Sequence, residues 1–156
     1  MKSLSEFLNE QAEKQPESGI RKWERDAWVS AVGQLIERME LCLREADQKS
    51  ILDIERTVHE KREEGIGHYK VAGLAIRLGA REVDIIPISR YVVATPANVK
   101  PFNPQGRVDM TDGETRYSLY RIPDSQGVGW ALIDPTGSIK GFSQKTFEAA
   151  IQDLLE

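Results

Sequence analysis

Apolar and polar residues follow two different periods along this chain, and the period changes near Ser50. Before Ser50, apolar side chains recur every three or four positions, the spacing of an amphipathic helix; from there to Phe142 they alternate in short runs divided by turn residues. We therefore predict an α+β fold, in which terminal helices pack on a mainly antiparallel meander sheet of roughly six to eight strands. The helical N-terminal segment covers residues 1–48, the sheet 51–142 and the C-terminal helix 143–156, all in a single domain.

Caps and apolar spacing predict three helices. Ser3 and Glu6 match a capping box that begins a short first helix, which ends before Pro16. The second helix fills the rest of the N-terminal segment, and Gly33 within it indicates close approach by another element. Ser143 caps the last helix. The apolar stripe of the second helix consists of Trp23, Ala27, Trp28, Ala31, Val32, Leu35, Ile36, Met39, Cys42 and Leu43.

Two turn dipeptides predict strand registers within the sheet. Gly79-Ala80 fits a two-residue hairpin, and Asp112-Gly113 between alternating residues is a strong hairpin signal. Pro87 lacks a main-chain donor and indicates a bulge or an edge. The expected pairs are Leu74–Ile85, Ile76–Val83 and Leu78–Arg81 around the first turn, and Val108–Tyr117, Asp109–Arg116 and Met110–Thr115 around the second.

Composition is that of an ordinary folded domain. Hydrophobic residues make up 40% and charged residues 29% of the 156 positions, with a net charge of −4. Mild acidity gives no general attraction to nucleic acid or to anionic lipid. No apolar run approaches the roughly 20 residues of a membrane helix, and the only cysteine, Cys42, lies in a helical apolar stretch. We expect a cytoplasmic protein without membrane contact.

The two histidines are the weak candidates for a metal site. A turn centred on Glu63-Glu64 places His59 directly opposite His68 across a hairpin, with further carboxylates close by. Two imidazoles and a carboxylate can bind Zn²⁺, but the spacing matches no metal signature. The other interpretation is a solvated hairpin end, and we predict no metal.

Motifs for catalysis or cofactor binding are missing from the sequence. There is no nucleophile elbow, and neither Gly65-x-Gly67 nor Gly127-x-Gly129 is followed by a helix at the spacing that binds phosphate. We therefore predict no cofactor and no assigned catalytic residue, and a non-enzyme is the expectation. The alternative is a small ligand-binding or enzymatic domain that uses the concave face of the sheet, with pocket candidates Asp84, Tyr91 and Asp109.

Arginine and tyrosine are interleaved in the second half of the sheet. The interaction candidates here are Arg90, Arg107, Tyr120 and Arg121, within the stretch from Arg77 to Arg121, where basic residues outnumber acidic ones. Arginine beside tyrosine can hold phosphate or stack on bases, but the same pairing occurs at protein interfaces and on solvated sheet faces. Trp23 is a further interaction candidate, because it lies on a different side of the second helix from Trp28. Either both tryptophans pack in the core, or one of them is left for a partner.

Three functions follow in order. The first is a non-catalytic macromolecular interaction module whose sheet presents a polar, arginine-rich surface to a protein partner or to a second copy. The second is the ligand-binding or enzymatic domain described above. The third is local nucleic-acid contact through the sheet arginines, which requires binding that weakens steeply with salt.

Overall fold

The computed structural model of this protein describes residues 2–13, 17–93, 95–124 and 127–156. The predicted end of the first helix at Pro16 lies outside these residues. The helices are α1 (Leu4–Glu13), α2 (Glu17–Ala46) and α3 (Gln144–Leu155), and the strands are β1 (Asp53–Glu63), β2 (Gly67–Leu78), β3 (Arg81–Ser89), β4 (Arg107–Thr111), β5 (Arg116–Asp124), β6 (Gly127–Ile133) and β7 (Ile139–Gly141).

The strands form one antiparallel sheet of seven strands in the order of the chain, β1 to β7. This meander with helices before and after it confirms the α+β prediction and the expected number of strands. Each strand pairs with its neighbour in sequence, so short turns suffice to connect most of the sheet. A register shift between Pro87 and Ser89 confirms the predicted bulge, because proline cannot donate to the ladder.

The first predicted hairpin is confirmed pair by pair. Leu78 lies opposite Arg81, Ile76 opposite Val83, and Leu74 opposite Ile85. Gly79 adopts a φ of 59°, which the tight turn requires and which a residue without Cβ adopts most easily.

The second predicted hairpin has the correct strands but the wrong register. Met110 lies opposite Tyr117, not opposite Thr115, and the expected partners of Val108 and Asp109 are displaced in the same way, to Leu119 and Ser118. The cause is the Asp112 side chain, whose Oδ1 accepts from the amides of Glu114 and Thr115 at 2.9 and 2.7 Å. These bonds build a four-residue loop, where the dipeptide alone predicts a two-residue one.

The main core lies between one face of the sheet and two helices. Helix α2 packs on β2 and helix α3 packs on β3, and the two helices contact each other. Trp28 is fully buried and its ring stacks at a tilt on Trp130, with centroids 5.9 Å apart. Cys42 is a buried free thiol, as expected, and burial raises its pKa. Core residues contributed by the sheet include Leu74, Ile76, Val83, Ile85, Val108, Met110, Leu119 and Leu132.

A smaller apolar cluster lies on the other face of the sheet. Val99, which precedes a short 3-10 helix at Lys100–Phe102, is fully buried and covers Tyr120 and Ile133. The long irregular segment between β3 and β4 therefore covers the outer face of the last strands. The first strands have no such cover from that segment among the described residues.

The start of α3 forms as predicted. The hydroxyl of Ser143 accepts from the amide of Thr146 at 3.1 Å, and Thr146 in return accepts from the amide of Ser143 at 2.9 Å. Phe142 and Phe147 pack with ring centroids 5.7 Å apart, which fixes the entry of the chain into the helix.

The prediction for Gly33 is wrong. A Cβ added at this helical position has no neighbouring atom within 4 Å, so no element approaches it.

None of the helices in the described ranges is long and apolar enough to cross a membrane.

Gly106 is a glycine that a side chain cannot replace without strain. Its φ is 149°, and an added Cβ overlaps the buried ring of Trp28. We expect Gly106→Ala to lower the free energy of unfolding by about 3 kcal/mol, from backbone strain and overpacking together. Gly33→Ala is the matched control and should raise it by roughly 0.5–1 kcal/mol. Urea unfolding followed by circular dichroism measures both, and equal stability of the two variants would contradict this packing.

Candidate functional site

The side chains that point away from the helices on β1 to β5 form a largely polar surface, here called the polar face. It alternates with the core positions along each strand, as the pleat requires. The charged members comprise five carboxylates and three arginines, a net of −2, which is not the basic surface that a nucleic-acid backbone requires. They are Asp53, Glu55, Arg77, Glu82, Asp84, Arg107, Asp109 and Arg116.

An ion pair lies at the centre of this face. Arg107 donates from Nε and from a terminal nitrogen to the two carboxylate oxygens of Asp109, at 2.8 and 2.9 Å. The hydroxyl of Ser118, directly across the ladder, donates to the same carboxylate at 2.9 Å. Asp109 is only 3% exposed, and its carboxylate raises the pKa of Arg107. Arg107 and Ser118 together occupy three of the roughly four acceptor positions of the carboxylate, and Arg116 Nη1 lies 3.7 Å from its Oδ2, so Asp109 is largely used within the fold.

The three arginines among the interaction candidates, Arg90, Arg107 and Arg121, lie apart from one another. Arg107 is held by Asp109, with its guanidinium 6.0 Å from the ring of Tyr120, and that ring is 2% exposed beneath Val99. Arg121 lies on the helix side of β5, next to Trp130 and the middle of α2, where burial lowers its pKa. The arginines thus occupy different places instead of one continuous patch.

Arg90 belongs to a third place, the end of β3. Its amide and that of Tyr91 donate to the carboxylate of Glu63 at 3.0 and 3.1 Å, and the hydroxyl of Tyr69 also donates to this carboxylate. The Tyr91 hydroxyl donates to Glu24 of α2 at 2.7 Å. Glu63 thereby fastens the β1–β2 hairpin to the segment that leaves β3.

The pocket candidates do not line one cavity. Asp84 and Asp109 are neighbours on the polar face, because Asp84 lies opposite Thr111 and Asp109 lies opposite Ile86. Tyr91 lies beyond the end of β3, seven positions after Asp84, which is about 20 Å along extended chain. The polar face therefore brings Asp84 and Asp109 together, and Tyr91 lies outside it.

His59 and His68 are not opposite each other. His59 pairs with Val71, and His68 pairs with Arg62. The prediction that the two histidines face each other is wrong, because the β1–β2 hairpin has a different register from the one expected. Within the described residues no three histidine, cysteine, aspartate or glutamate side chains are placed to hold a metal ion.

His59 instead forms a polar cluster with Thr57 and Asp84 above Gly73. Its Nε2 lies 2.9 Å from the Thr57 hydroxyl, and a side chain at Gly73 would displace both groups. Burial lowers the pKa of His59, with Lys61 acting in the same sense and Asp84 against it. Burial also raises the pKa of Asp84, helped by Glu82. The described clefts are lined by residues other than His59, Thr57 and Asp84, so the structure assigns no substrate cavity to this cluster.

A cleft of about 390 Å³ lies elsewhere, between the last strands and α3. Its floor is apolar and its rim carries two lysines, Lys140 and Lys145. The Tyr117 hydroxyl donates to Asp153 at 2.6 Å, and burial together with this carboxylate raises the pKa of Tyr117 to about 12. The lining residues are Tyr117, Leu132, Asp134, Ser138, Lys140, Lys145, Thr146, Ala149 and Ala150. They come from separate elements and share no motif, so no sequence pattern indicates this cleft.

Five of the ten large apolar side chains that are exposed in the described part of the chain belong to the N-terminal helices. Leu4, Phe7 and Leu8 lie on one side of α1 and are 71%, 49% and 54% exposed. Trp23 of α2 is 74% exposed, whereas Trp28 is buried. Of the two alternatives for the tryptophans, the structure therefore has one in the core and one at the surface.

Comparison with models of protein families, with curated proteins and with solved structures finds no match to this chain.

Removal of the central carboxylate should destabilise the fold. Asp109→Ala leaves the guanidinium of Arg107, which is mostly buried, without its bidentate partner, and we expect a loss of about 2–4 kcal/mol in the free energy of unfolding. Asp53→Ala removes an exposed ion pair with Arg77 and should cost less than about 1 kcal/mol. Chemical denaturation of both variants checks the difference, and equal losses would contradict a central role for Asp109.

His59 should make stability depend on pH below neutrality. The folded chain holds the pKa of His59 below its ordinary value of about 6.5, so the unfolded chain binds more protons as the pH falls through this value. The wild type should therefore lose more stability between pH 7 and 5.5 than His59→Gln does. Thermal unfolding at a series of pH values measures this, with His68→Gln as the control. Parallel curves for the wild type and His59→Gln would refute the assignment.

Proposed function

We propose that this protein is a non-catalytic interaction module that binds a protein partner through the apolar side of helix α1. The observation that carries the proposal is the triplet Leu4, Phe7 and Leu8, exposed on a formed helix at positions i, i+3 and i+4. Amphipathic helices that insert into a groove of another protein use anchors at this spacing.

The helix is built to remain helical while its apolar side is uncovered. The Ser3 hydroxyl accepts from the amide of Glu6 at 3.2 Å, which caps the first turn, and Lys2 forms an ion pair with Glu10. Elsewhere the core is filled by α2, α3 and the sheet. Large apolar side chains grouped on one side of a capped helix favour recognition over solvation.

The charge of α1 indicates the character of the partner. Glu6 and Glu10 lie on the polar side of this helix. A complementary groove is apolar at its floor and basic at its rim, since opposite potentials guide encounter and orientation. An acidic helix also argues against an anionic membrane surface as the partner.

A small-ligand function finds its support at a different place from the one expected. The cleft beside Lys140 and Lys145 is lined by apolar side chains, by these two cations and by Asp134, whose Oδ1 already accepts from the amides of Thr136 and Ser138. The two cations suit a small molecule with an acidic group. The polar face supplies no comparable cavity among the described pockets.

As compartment we propose the cytoplasm, because the single cysteine is a buried thiol.

The anchor role of Phe7 is tested with two variants that add the same charge. Affinity capture from a lysate of the source organism identifies candidate partners of the wild type, and binding of each purified partner is then measured by calorimetry. Phe7→Asp should weaken binding about 30-fold or more, because buried aromatic anchors dominate interface energies. Asn9→Asp, on the polar side of α1, should leave affinity within about twofold.

Circular dichroism and thermal unfolding establish that both variants remain folded. A purified partner that binds Phe7→Asp as tightly as the wild type overturns the proposed use of α1. The same holds if Asn9→Asp weakens binding as strongly as Phe7→Asp, since a general effect of negative charge would then account for both.

A further inference from the structure

The first strand of the sheet has an open edge. Strand β1 is eleven residues long, lies at the end of the strand order, and pairs only with β2 among the described residues. Its outer edge carries main-chain donors and acceptors that no other strand in the described chain satisfies. Such an edge is a template for a further strand, which natural sheets usually shorten, cover or interrupt with proline. Strand β1 contains no proline and is longer than most strands.

The sequence of β1 is complementary to itself when two copies run antiparallel. With a twofold axis at Val58, the middle residue of the strand, Glu55 of one copy lies opposite Lys61 of the other, and Arg56 lies opposite Glu60. The axis doubles each pair. Opposite charges that face each other across an antiparallel ladder stabilise it, and like charges destabilise it.

Other registers lose this match. The axis stands perpendicular to the sheet, so a slip must move partners by two positions to keep side chains on the same face. An axis at His59 sets Glu55 opposite Glu63 and Arg56 opposite Arg62, two like-charged pairs. The charge pattern thus rejects that register.

The slip in the other direction is also poorer. An axis at Thr57 keeps only one opposite-charge pair, Asp53 with Lys61. Ile54 lies opposite a charged residue in both registers, Glu60 here and Arg62 with the axis at Val58, so it does not distinguish them. The register at Val58 has two opposite-charge pairs, and its like-charge pair, Asp53 with Glu63, lies at the strand ends. There the Glu63 carboxylate is already occupied by the amides of Arg90 and Tyr91.

Within one copy, the side chains at this edge keep capacity for a partner. Glu55 accepts from Arg77 at 3.0 Å through one exposed oxygen, and its other oxygen has no hydrogen-bond donor among the described residues. Val58 is 70% exposed, and a partner's Val58 would cover it. Lys61 has no carboxylate at ion-pair distance in the described part of the chain, and the ion pair of Glu60 with Lys70 is long, 3.8 Å, and exposed. Arg56 holds Glu40 at 2.8 Å but has further donors for a second carboxylate.

We propose that two copies of this chain associate through their β1 edges, antiparallel and centred on Val58. The product is a continuous sheet with seven strands from each copy. Its contacts are main-chain hydrogen bonds and ion pairs, with little apolar area, so the dimer dissociates on dilution and its interface is at the small end for specific complexes. This association does not involve α1 and is independent of the proposed function.

Charge reversal with rescue tests both the surface and the register. Sedimentation velocity over a series of concentrations should show a monomer–dimer equilibrium for the wild type. Lys61→Glu places a glutamate opposite Glu55 in both symmetry-related pairs of the dimer. It should therefore raise the dimer Kd about tenfold or more. Glu55→Lys should do the same, and the double variant E55K/K61E should restore the wild-type Kd within a few-fold.

Two controls separate this association from other surfaces. Lys145→Glu makes the same charge change on α3 and should leave the dimer Kd unchanged, as should Phe7→Asp. Thermal unfolding establishes that each variant is folded. A chain that is monomeric up to millimolar concentration, a dimer that Lys61→Glu leaves intact, or a double variant that stays dissociated would each overturn the proposed pairing.

Discussion

The ring of Trp28 lies where helix α2 crosses the sheet, against Trp130 and over the backbone of Gly106. Because position 106 carries no side chain, the ring can reach the sheet and α2 can lie close to it. This contact fixes which side of the strands becomes the core. Helix α3 then fills the space that remains over β3, with Phe147, Ile151 and Leu154 buried.

The opposite face of the sheet has two parts of different character. Over the last strands it is apolar, and the segment around Val99 covers it. Over the first strands it is polar, and Asp109 with Arg107 forms its most buried point. Both charges belong to β4, and the Ser118 hydroxyl ties their carboxylate to β5, so the pair contributes little net stability but leaves a buried charge uncompensated if either partner is removed. The surfaces proposed above for binding are helix α1, the β1 edge and the cleft beside α3.

The sequence was most informative where a signal is local. The Gly79-Ala80 turn and the Ser143 cap act within a few residues, and both formed as expected. The Asp112 turn failed because a side chain, not the dipeptide, set the loop length. The arginines do not form one patch, because Arg107 and Arg121 lie on opposite faces of the sheet and Arg90 lies beyond β3. Periodicity alone does not show which carboxylate each arginine will meet. The cleft beside α3 had no local signal at all, since four elements build it.

Glu63 joins parts of the chain that are far apart in sequence, since its carboxylate lies on the hairpin and its amide donors follow β3. The segment that starts at those amides continues to Val99 and covers the second apolar cluster. The hairpin tip and the outer cover should therefore open and close together as one cooperative unit, with shared hydrogen-exchange protection, although they lie on different parts of the sheet.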